Sequence, residues 1–170
     1  MTSLVLTVIA PDKPGLVELL SQTIATNGGN WLESSMSRLA GKFAGILIVS
    51  VPEALADSLI EALQQLEAQG LRVITARSPG HQTATDSNHI TLELIGHDKP
   101  GIVREISQVL SRLNINVERL STELVSGSMS AEELFKAEAD LTVPIGVDLD
   151  DLQQSLEAIA NDLMVDITLN

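Results

Sequence analysis

Hydrophobic positions along this chain follow two spacings, one typical of β-strands and one typical of α-helices. Short runs of Val, Ile and Leu alternate with amphipathic stretches in which an aliphatic residue recurs every three or four positions. The order strand, helix, strand, strand, helix, strand occurs twice. The predicted strands are residues 4–9, 30–38, 43–51 and 71–76 in the first half, and 90–95, 117–125, 135–143 and 163–169 in the second.

The four amphipathic stretches predict helices, each with one apolar stripe that would face a sheet. The stripes comprise Val17, Leu20 and Ile24 with Leu16 and Leu19 beside them; Leu55, Leu59, Leu63 and Leu66; Ile102, Ile106, Val109 and Leu113; and Leu149, Leu152, Leu156 and Ile159. Right-handed crossovers would place the first and third strands of each half side by side, with both helices on one face. We therefore predict an α+β protein of two tandem ferredoxin-like βαββαβ domains, each with an antiparallel four-stranded sheet.

A repeated segment indicates internal duplication of the chain. Residues 10–17, Ala-Pro-Asp-Lys-Pro-Gly-Leu-Val, recur as Gly-His-Asp-Lys-Pro-Gly-Ile-Val at residues 96–103. A copy of this length, at a spacing near half the chain length, is not expected by chance. We expect one domain at residues 1–76 and another at 89–170, joined by a polar, turn-rich linker at 77–88.

The charge of the chain limits the partners it can bind. Lys and Arg number 10 and Asp and Glu number 23, which gives a formal net charge of −13 at pH 7. Direct nucleic-acid binding is not expected, because no basic surface is available to neutralise phosphates. The chain has no cysteine, and no apolar run approaches the roughly 18 residues of a membrane span. We expect a cytoplasmic protein without disulfides.

The repeated segment lies between a strand and a helix, so its backbone amides would have no acceptor within the helix. Such amides form the positive end of the helix dipole and suit a carboxylate. Glycine at this point would let a ligand approach the backbone closely. The amides concerned lie near Gly15 and Leu16 in the first copy, and near Gly101 and Ile102 in the second.

An aspartate precedes each set of amides and would suit an ammonium group. Asp12 and Asp98, together with the amides, describe a receptor for a zwitterion, that is, a free amino acid. An equally supported interpretation is that both aspartates are helix N-caps, with Pro14 and Pro100 in the first turn. The two roles are compatible, because a capping carboxylate retains free lone pairs.

One sheet face of the first half is unusually apolar. In the second half, residues 135–143 alternate between apolar and polar, so one face would be core and the other would meet water. The positions of the first half that match the polar set include Ala44, Ile46 and Ile48. Exposed apolar patches usually mark contact surfaces, and we expect either another copy of the chain or a different protein to bind here. The alternative is that a loop or the carboxy-terminal segment covers these residues.

Other polar residues form no catalytic or metal-binding pattern. His81, His89 and His97 recur every eight residues, but no Cys or helical His pair accompanies them. We therefore expect no metal site and no cofactor. No nucleophile motif such as Gly-x-Ser-x-Gly is present, so we expect no enzymatic activity. Lys13 and Lys99 are expected to be solvated.

The repeated segment and its surroundings resemble the ACT domain, a regulatory fold that often binds amino acids. The resemblance depends on a strand, the residues Asp-x-Pro-Gly-Leu/Ile-Val, an amphipathic helix, and an asparagine fifteen residues after the glycine. It covers nearly the whole chain as two ACT units in tandem. Among such proteins, the chain is similar to the glycine cleavage system transcriptional repressor family.

This resemblance implies where a ligand would bind. In amino-acid-binding ACT domains the ligand lies where two units join, between the strand–helix loop of one and the second strand of the other. The residues implied here are Asp12, Gly15, Leu16 and Asn30, with Asp98, Gly101, Ile102 and Asn116.

The resemblance also implies a biological role. The protein would bind a DNA-binding activator of the glycine cleavage operon and repress transcription without touching DNA. Glycine would be the amino acid, and a homodimer is compatible with this role. The alternative is a tandem ACT module that binds proteins and no ligand. A regulatory part of an enzyme is a third hypothesis, but the chain has no room for a catalytic domain.

Overall fold

The computed structural model describes residues 1–78, 87–127 and 132–170. The chain divides into two compact units, Met1–Gln82 and Thr83–Asn170. The first unit contains β1 (Thr2–Pro11), α1 (Leu16–Thr26), β2 (Asn30–Leu39), β3 (Lys42–Val51), α2 (Ala56–Gln65) and β4 (Arg72–Ser78). The second contains β5 (Ser87–His97), α3 (Ile102–Arg112), β6 (Asn116–Ser126), β7 (Glu133–Pro144), α4 (Leu149–Leu163) and β8 (Val165–Leu169).

Each unit has one antiparallel sheet of four strands. The strand orders are β2-β3-β1-β4 and β6-β7-β5-β8, and every recorded strand pair is antiparallel. The first and third strands of each unit are hydrogen-bonded neighbours, as the crossover rule requires. The predicted pair of ferredoxin-like βαββαβ domains is confirmed.

Each unit has its own apolar core between the sheet and its two helices. Alternate residues of β1 are buried, namely Leu4, Leu6 and Val8, because successive side chains of a strand point to opposite faces. The helices supply the other layer through residues such as Leu20 and Leu59. Within the described residues no polar or charged residue is buried, so burial of aliphatic side chains is the main stabilising interaction.

Some helix residues predicted to face the core are exposed. Val17 is 49% exposed and Leu55 is 41% exposed, whereas their neighbours Leu16 and Ala56 are buried. Leu55 ends a short 3₁₀ helix, Glu53–Leu55, and α2 begins only at the following residue. The tighter winding of the 3₁₀ turn rotates the side chains, so the stripe begins one residue later than regular helical spacing predicts.

The second unit departs from the prediction at the ends of its helices. Leu149, the first residue of α4, is 43% exposed. Leu113, which was predicted to lie on the third helix, lies just beyond the end of α3. Ile115, which was not included in the predicted apolar stripe, is buried. Met164 takes a left-handed conformation with φ 53° after α4, so β8 begins at Val165 rather than at residue 163. Helix ends are set by backbone turns, which the apolar period does not specify.

The strands beside the expected linker are longer than predicted. Arg77 and Ser78 belong to β4, and Ser87 and Asn88 belong to β5. These residues were predicted to be linker because their side chains are polar. Strand pairing uses the backbone, so polar side chains are tolerated at strand ends. The remainder of the expected linker, residues 79–86, lies outside the described residues.

The hairpin between β2 and β3 closes through two residues. Leu39 pairs with Lys42, and between them Ala40 and Gly41 both have positive φ, 50° and 76°. These values match a type I′ turn, which suits the right-handed twist of the flanking strands. Alanine pays a steric cost for a left-handed conformation, and glycine does not.

Replacing Ala40 by glycine should therefore stabilise the protein. We expect Ala40→Gly to raise the free energy of unfolding by about 0.5–1 kcal/mol, because the strain at positive φ is relieved. Ala158→Gly, at an exposed position within α4, is the control and should lower it by about 1 kcal/mol. Urea denaturation measures both, and a loss of stability in both variants would contradict the assigned turn.

Candidate functional site

In both copies of the repeated segment, a left-handed glycine starts the helix. Gly15 has φ 88° and ψ 1°, and Gly101 has φ 92° and ψ 1°. The carbonyl of Gly15 accepts the first helical hydrogen bond from the amide of Leu19 at 2.9 Å, and that of Gly101 accepts from Glu105 at 2.9 Å. In the part of the chain that the structure describes, and apart from the two chain neighbours of each glycine, no heavy atom lies within 4 Å of a Cβ added at Gly15 or Gly101. The positive φ requires glycine, and the space beside it is open.

The aspartates do not cap these helices, so the capping interpretation is wrong. Gly15 and Gly101 occupy the N-cap positions, and neither helix has a side-chain cap. Asp12 instead lies 3.4 Å from Nη1 of Arg38 in an exposed ion pair. Asp98 is exposed, and among the described residues no hydrogen bond or ion pair of its carboxylate is recorded.

The loop before each helix is fixed by backbone hydrogen bonds at equivalent places. The amide of Asp12 donates to the carbonyl of Gly41 at 3.0 Å, and the amide of Asp98 donates to Glu133 at 3.2 Å. Both acceptors lie at the hairpin end of the sheet: Gly41 directly precedes the third strand of its unit, and Glu133 is the first residue of that strand. The sheet therefore holds both loops in the same position.

The first amides of both helices have no partner within the described residues. Neither the backbone nor the side-chain hydrogen bonds recorded there use the amides of Leu16 and Val17, or those of Ile102 and Val103. Unpaired amides at a helix start present a partial positive charge and can donate to an anion. This arrangement suits a carboxylate in each unit.

The lysine of the repeated segment has a structural role that sequence reasoning missed. Lys99 donates from Nζ to the carbonyl of Leu163, the last residue of α4, at 2.9 Å. Lys13 donates likewise to the carbonyl of Gln69, which ends a 3₁₀ helix after α2, at 3.1 Å. A cation at a helix carboxyl end satisfies a free carbonyl and opposes the dipole. The lysine thus ties the loop to the second helix of its unit.

The asparagines lie far from the glycine turns of their own units. Asn116 begins β6 after α3 has ended, whereas Gly101 lies at the other end of that helix. Eleven helical residues span about 16 Å. Asn30 and Gly15 are separated in the same way by α1. Within one unit, the structure therefore brings together Asp98, Gly101 and Ile102 but not Asn116, and Asp12, Gly15 and Leu16 but not Asn30.

The residues predicted to bind a partner lie on the sheet face opposite the helices. Their neighbours Leu47 and Val49 are buried in the core, so Ala44, Ile46 and Ile48 point to the other face, where Ile46 is 55% exposed. The register extends this surface, because Thr7 pairs with Ile46 on one side and with Ile74 on the other. The apolar sheet face of the first unit therefore comprises Val5, Ile9, Ala44, Ile46, Ile48 and Ile74.

Two of the most exposed members were missed by sequence reasoning. Ile74 is 64% exposed and Ile9 is 44% exposed. The sequence could not indicate which face Ile9 lies on, because β1 is apolar on both faces and shows no alternation of apolar and polar residues. Ile74 alternates with polar residues in β4, but only the register with β1 places it beside Ile46.

The matching face of the second unit is charged. Arg119 donates from Nε to Asp140 at 2.8 Å and from Nη2 to Glu138 at 3.3 Å. The hydrogen bond from Arg119 lowers the pKa of Asp140, and the same hydrogen bond raises the pKa of Arg119. These groups are exposed, so water screens their interaction. The two units therefore present open faces of opposite polarity.

The described histidines pair with carboxylates in exposed positions. Nδ1 of His97 lies 2.9 Å from Oε2 of Glu132, and Nδ1 of His89 lies 3.6 Å from Oε1 of Glu118. His81 lies outside the described residues. Within residues 1–78, 87–127 and 132–170, no group of three metal-ligating side chains occurs. No helix in the same ranges is both long enough and apolar enough to cross a membrane.

Comparison with known proteins identifies a family whose models match both copies of the repeated turn. Models of the ACT domain match residues 2–75 and residues 90–135. The chain belongs to the ACT domain family. The two matches include both glycine turns and both apolar helices that follow them.

Two curated relatives align with almost the entire chain. The glycine cleavage system transcriptional repressor of Escherichia coli strain K12 is 21% identical over 173 residues, covering 98% of this chain and 88% of the relative. The protein of the same name from Shigella flexneri gives the same values. This chain is therefore an ACT protein related to these repressors.

Solved structures agree with the fold. A protein of unknown function from Galdieria sulphuraria is similar with a TM-score of 0.84 and 25% identity, over 99% of this chain and 97% of the other. A protein described as a candidate glycine cleavage system transcriptional repressor has a TM-score of 0.71 and 22% identity, over 99% and 96%. At this identity the second likeness supports the fold alone.

The hydrogen bond of Lys99 should contribute to stability and not to ligand binding. We expect Lys99→Met, which keeps the aliphatic stem, to lower the free energy of unfolding by about 1–2 kcal/mol because the carbonyl of Leu163 loses its donor. The control is Lys136→Met on the exposed sheet face, with an expected change within about 0.5 kcal/mol. Denaturant unfolding measures both, and equal effects would refute the proposed role of Lys99.

Proposed function

We propose that this protein is an amino-acid-responsive regulator that represses transcription by binding a DNA-binding activator, and that it is not an enzyme. The observation that supports this most strongly is the duplicated turn, which leaves the same helix amides without a partner among the described residues of both ACT units. The curated relatives that align along the chain are repressors of the glycine cleavage system. A regulator of that system is the role that combines both observations.

The chemistry of the turn supports an amino acid as the ligand. The amides of Ile102 and Val103 can donate to a carboxylate at the start of α3. The exposed carboxylate of Asp98 precedes these amides in the same loop and can pair with an ammonium group. Charges of opposite sign within one loop favour a zwitterion over a simple anion. Glycine is the first amino acid to test, because the relatives are named after the glycine cleavage system.

The charge and the apolar sheet face support a protein partner. A net charge of −13 opposes the approach of nucleic acid. The apolar sheet face of the first unit, with Ile46 and Ile74 more than half exposed, offers a hydrophobic contact area instead. We propose that the activator binds this face. A protein-interaction module without a ligand is the second candidate, and the same face supports it.

Removing the charge of the loop should weaken amino-acid binding. We expect Asp98→Ala to lower the affinity for glycine by about tenfold or more, because the ammonium group loses a charged partner. Asp162→Ala on the exposed side of α4 is the matched control and should leave affinity unchanged. Isothermal titration calorimetry with glycine and serine measures both variants.

The same titration tests the asparagine assigned by family resemblance. Asn116→Ala should weaken binding while Asn161→Ala does not. Unchanged affinity in Asn116→Ala would restrict the site to the turn. The absence of heat with every amino acid, together with an unchanged melting temperature, would refute the ligand and favour the ligand-free module.

A charge placed on the apolar sheet face should weaken partner binding. We expect Ile46→Asp to lower the affinity for the activator of the glycine cleavage operon from the same genome by about tenfold or more, because a charge would be buried at the contact. Thr168→Asp on the open face of the second unit is the matched control. Surface plasmon resonance measures the affinities, and light scattering reports the oligomeric state. Equal affinities for both variants would refute this face as the binding surface, whereas loss of a dimer in Ile46→Asp alone would assign it to contact between copies.

A further inference from the structure

The apolar sheet face of the first unit has an uncharged centre. The strand register aligns the residues of this face in three rows that cross the sheet from β2 through β3 and β1 to β4. The middle row contains no charge and consists of Ser35, Ile46, Thr7 and Ile74. Hydroxyl and aliphatic groups therefore occupy the centre of the face.

One acidic and one basic residue occupy opposite corners of these rows. Glu33, on the edge strand β2, pairs with Ile48 in the row on one side of the centre. Arg72, on the edge strand β4, pairs with Ile9 in the row on the other side. The other residues of the three rows are uncharged, and Lys42 lies one row further toward the hairpin. Opposite charges thus mark the two ends of one diagonal.

Both corner side chains can pair with a second molecule. Glu33 is exposed and lines a depression of the sheet face together with Ile46 and Ile48, and no ion pair of its carboxylate is recorded among the described residues. Arg72 lies 3.9 Å from Glu67, with 69% and 72% of the two side chains exposed. Water screens such a contact, so the guanidinium can exchange it for another carboxylate.

Opposite charges on one diagonal make the face complementary to itself. The three rows form a nearly square surface, because three strand spacings measure about 14 Å and two steps of two residues about 13 Å. A two-fold axis along the uncharged diagonal brings Glu33 of each copy to Arg72 of the other. The strands of the two sheets then cross at about 90°, which is one of the two usual arrangements of packed sheets.

The distribution of net charge favours contact between first units. Residues 1–82 contain 5 basic and 7 acidic residues, whereas residues 83–170 contain 5 basic and 16 acidic residues. The net charge is therefore −2 in the first unit and −11 in the second. Two second units repel each other strongly, and two first units repel each other weakly.

The size of the face predicts a weak dimer. The strands β1, β2 and β3 are each 10 residues long, which corresponds to about 33 Å, and four strands measure about 19 Å in width. The contact would bury about 630 Å² in each copy, or about 1,250 Å² in total, which is at the lower limit of specific protein interfaces. A dimer of this kind forms and dissociates readily.

We propose that two copies of this protein associate through the apolar sheet faces of their first units, with Glu33 of each copy paired with Arg72 of the other. The contact buries Ile46 and Ile74, so a copy within the dimer cannot bind the activator. This competition rests on the proposed function, which assigns the activator to the same face, whereas the association does not. The activator binds the monomer alone, and its apparent affinity falls with the fraction of protein that is dimeric.

Charge reversal at the two corners tests the association. The wild-type protein should dimerise with a dissociation constant on the order of micromolar. We expect Glu33→Arg and Arg72→Glu each to weaken the dimer by about tenfold or more, because like charges then meet at both ends of the diagonal. A mixture of the two variants should form a heterodimer, since opposite charges meet again. Sedimentation equilibrium measures the affinities, and native mass spectrometry identifies the heterodimer by its mass.

Matched reversals on the open face of the second unit are the controls. Glu93→Arg and Lys136→Glu change exposed residues by the same charges and should leave the dimer unchanged. Circular dichroism checks that all four variants are folded. A wild-type protein that stays monomeric throughout the micromolar range, corner variants that dimerise as well as the controls, or a mixture that forms no heterodimer would each overturn the association.

The competition is measured with donor-labelled and acceptor-labelled copies of the full chain. The activator of the glycine cleavage operon from the same genome should abolish energy transfer between the copies. Energy transfer that persists in the activator complex would overturn the competition. Failure of the activator to bind even the monomeric Glu33→Arg variant would overturn the proposed function and the competition together, and would leave the association of the two sheet faces in place.

Discussion

Within each unit the helices cover only one side of the sheet, and most properties of the protein depend on this constraint. Burial of aliphatic side chains between the sheet and the helices stabilises each unit, with Leu6 and Leu59 as fully buried examples in the first. The other face of each sheet has no helix from its own unit to cover it. Packing of the core therefore does not restrict which residues lie on this face, and the two units differ there: the face is apolar at Ile46 and charged at Asp140.

The glycine turn joins this architecture to binding. A helix that packs on one sheet face must begin after a sharp change of chain direction at the end of the first strand, and a left-handed glycine provides it at Gly15 and Gly101. The same geometry leaves the first helix amides without a hydrogen-bond acceptor among the described residues. The lysine of the segment, fixed to the end of the second helix, holds the turn in position. The amino-acid binding that we propose would thus be a by-product of how the chain enters the helix.

Much of the fold could be predicted from sequence because the core alone determines the hydrophobic period. Leu20, Leu59 and Leu156 were placed correctly, since a buried stripe has to recur every three or four residues. Leu55 and Val17 were misplaced because the helix starts depend on backbone turns. The strand order was predicted correctly from the crossover rule. The exact strand ends were not, because polar residues at strand ends pair through the backbone alone and leave no pattern in the sequence.

The site was predicted less completely, for a physical reason. The amides of Gly101 and Ile102 are local features, and a local motif reveals them. The hydrogen bond of Lys99 to Leu163 and the neighbouring positions of Ile46 and Ile74 both depend on residues distant in sequence. Only a three-dimensional arrangement brings such residues together. The exclusion of Asp12 and Asp98 as caps likewise required the backbone angles of the glycines that follow them.

The position of Trp31 has a consequence for observing the protein in solution. It is the only tryptophan, and the chain has no tyrosine. Because Trp31 packs against the core of the first unit, intrinsic fluorescence reports on that unit and the second emits no comparable light. Comparison of fluorescence with circular dichroism, to which both units contribute, therefore separates the melting of one half from that of the other without any label.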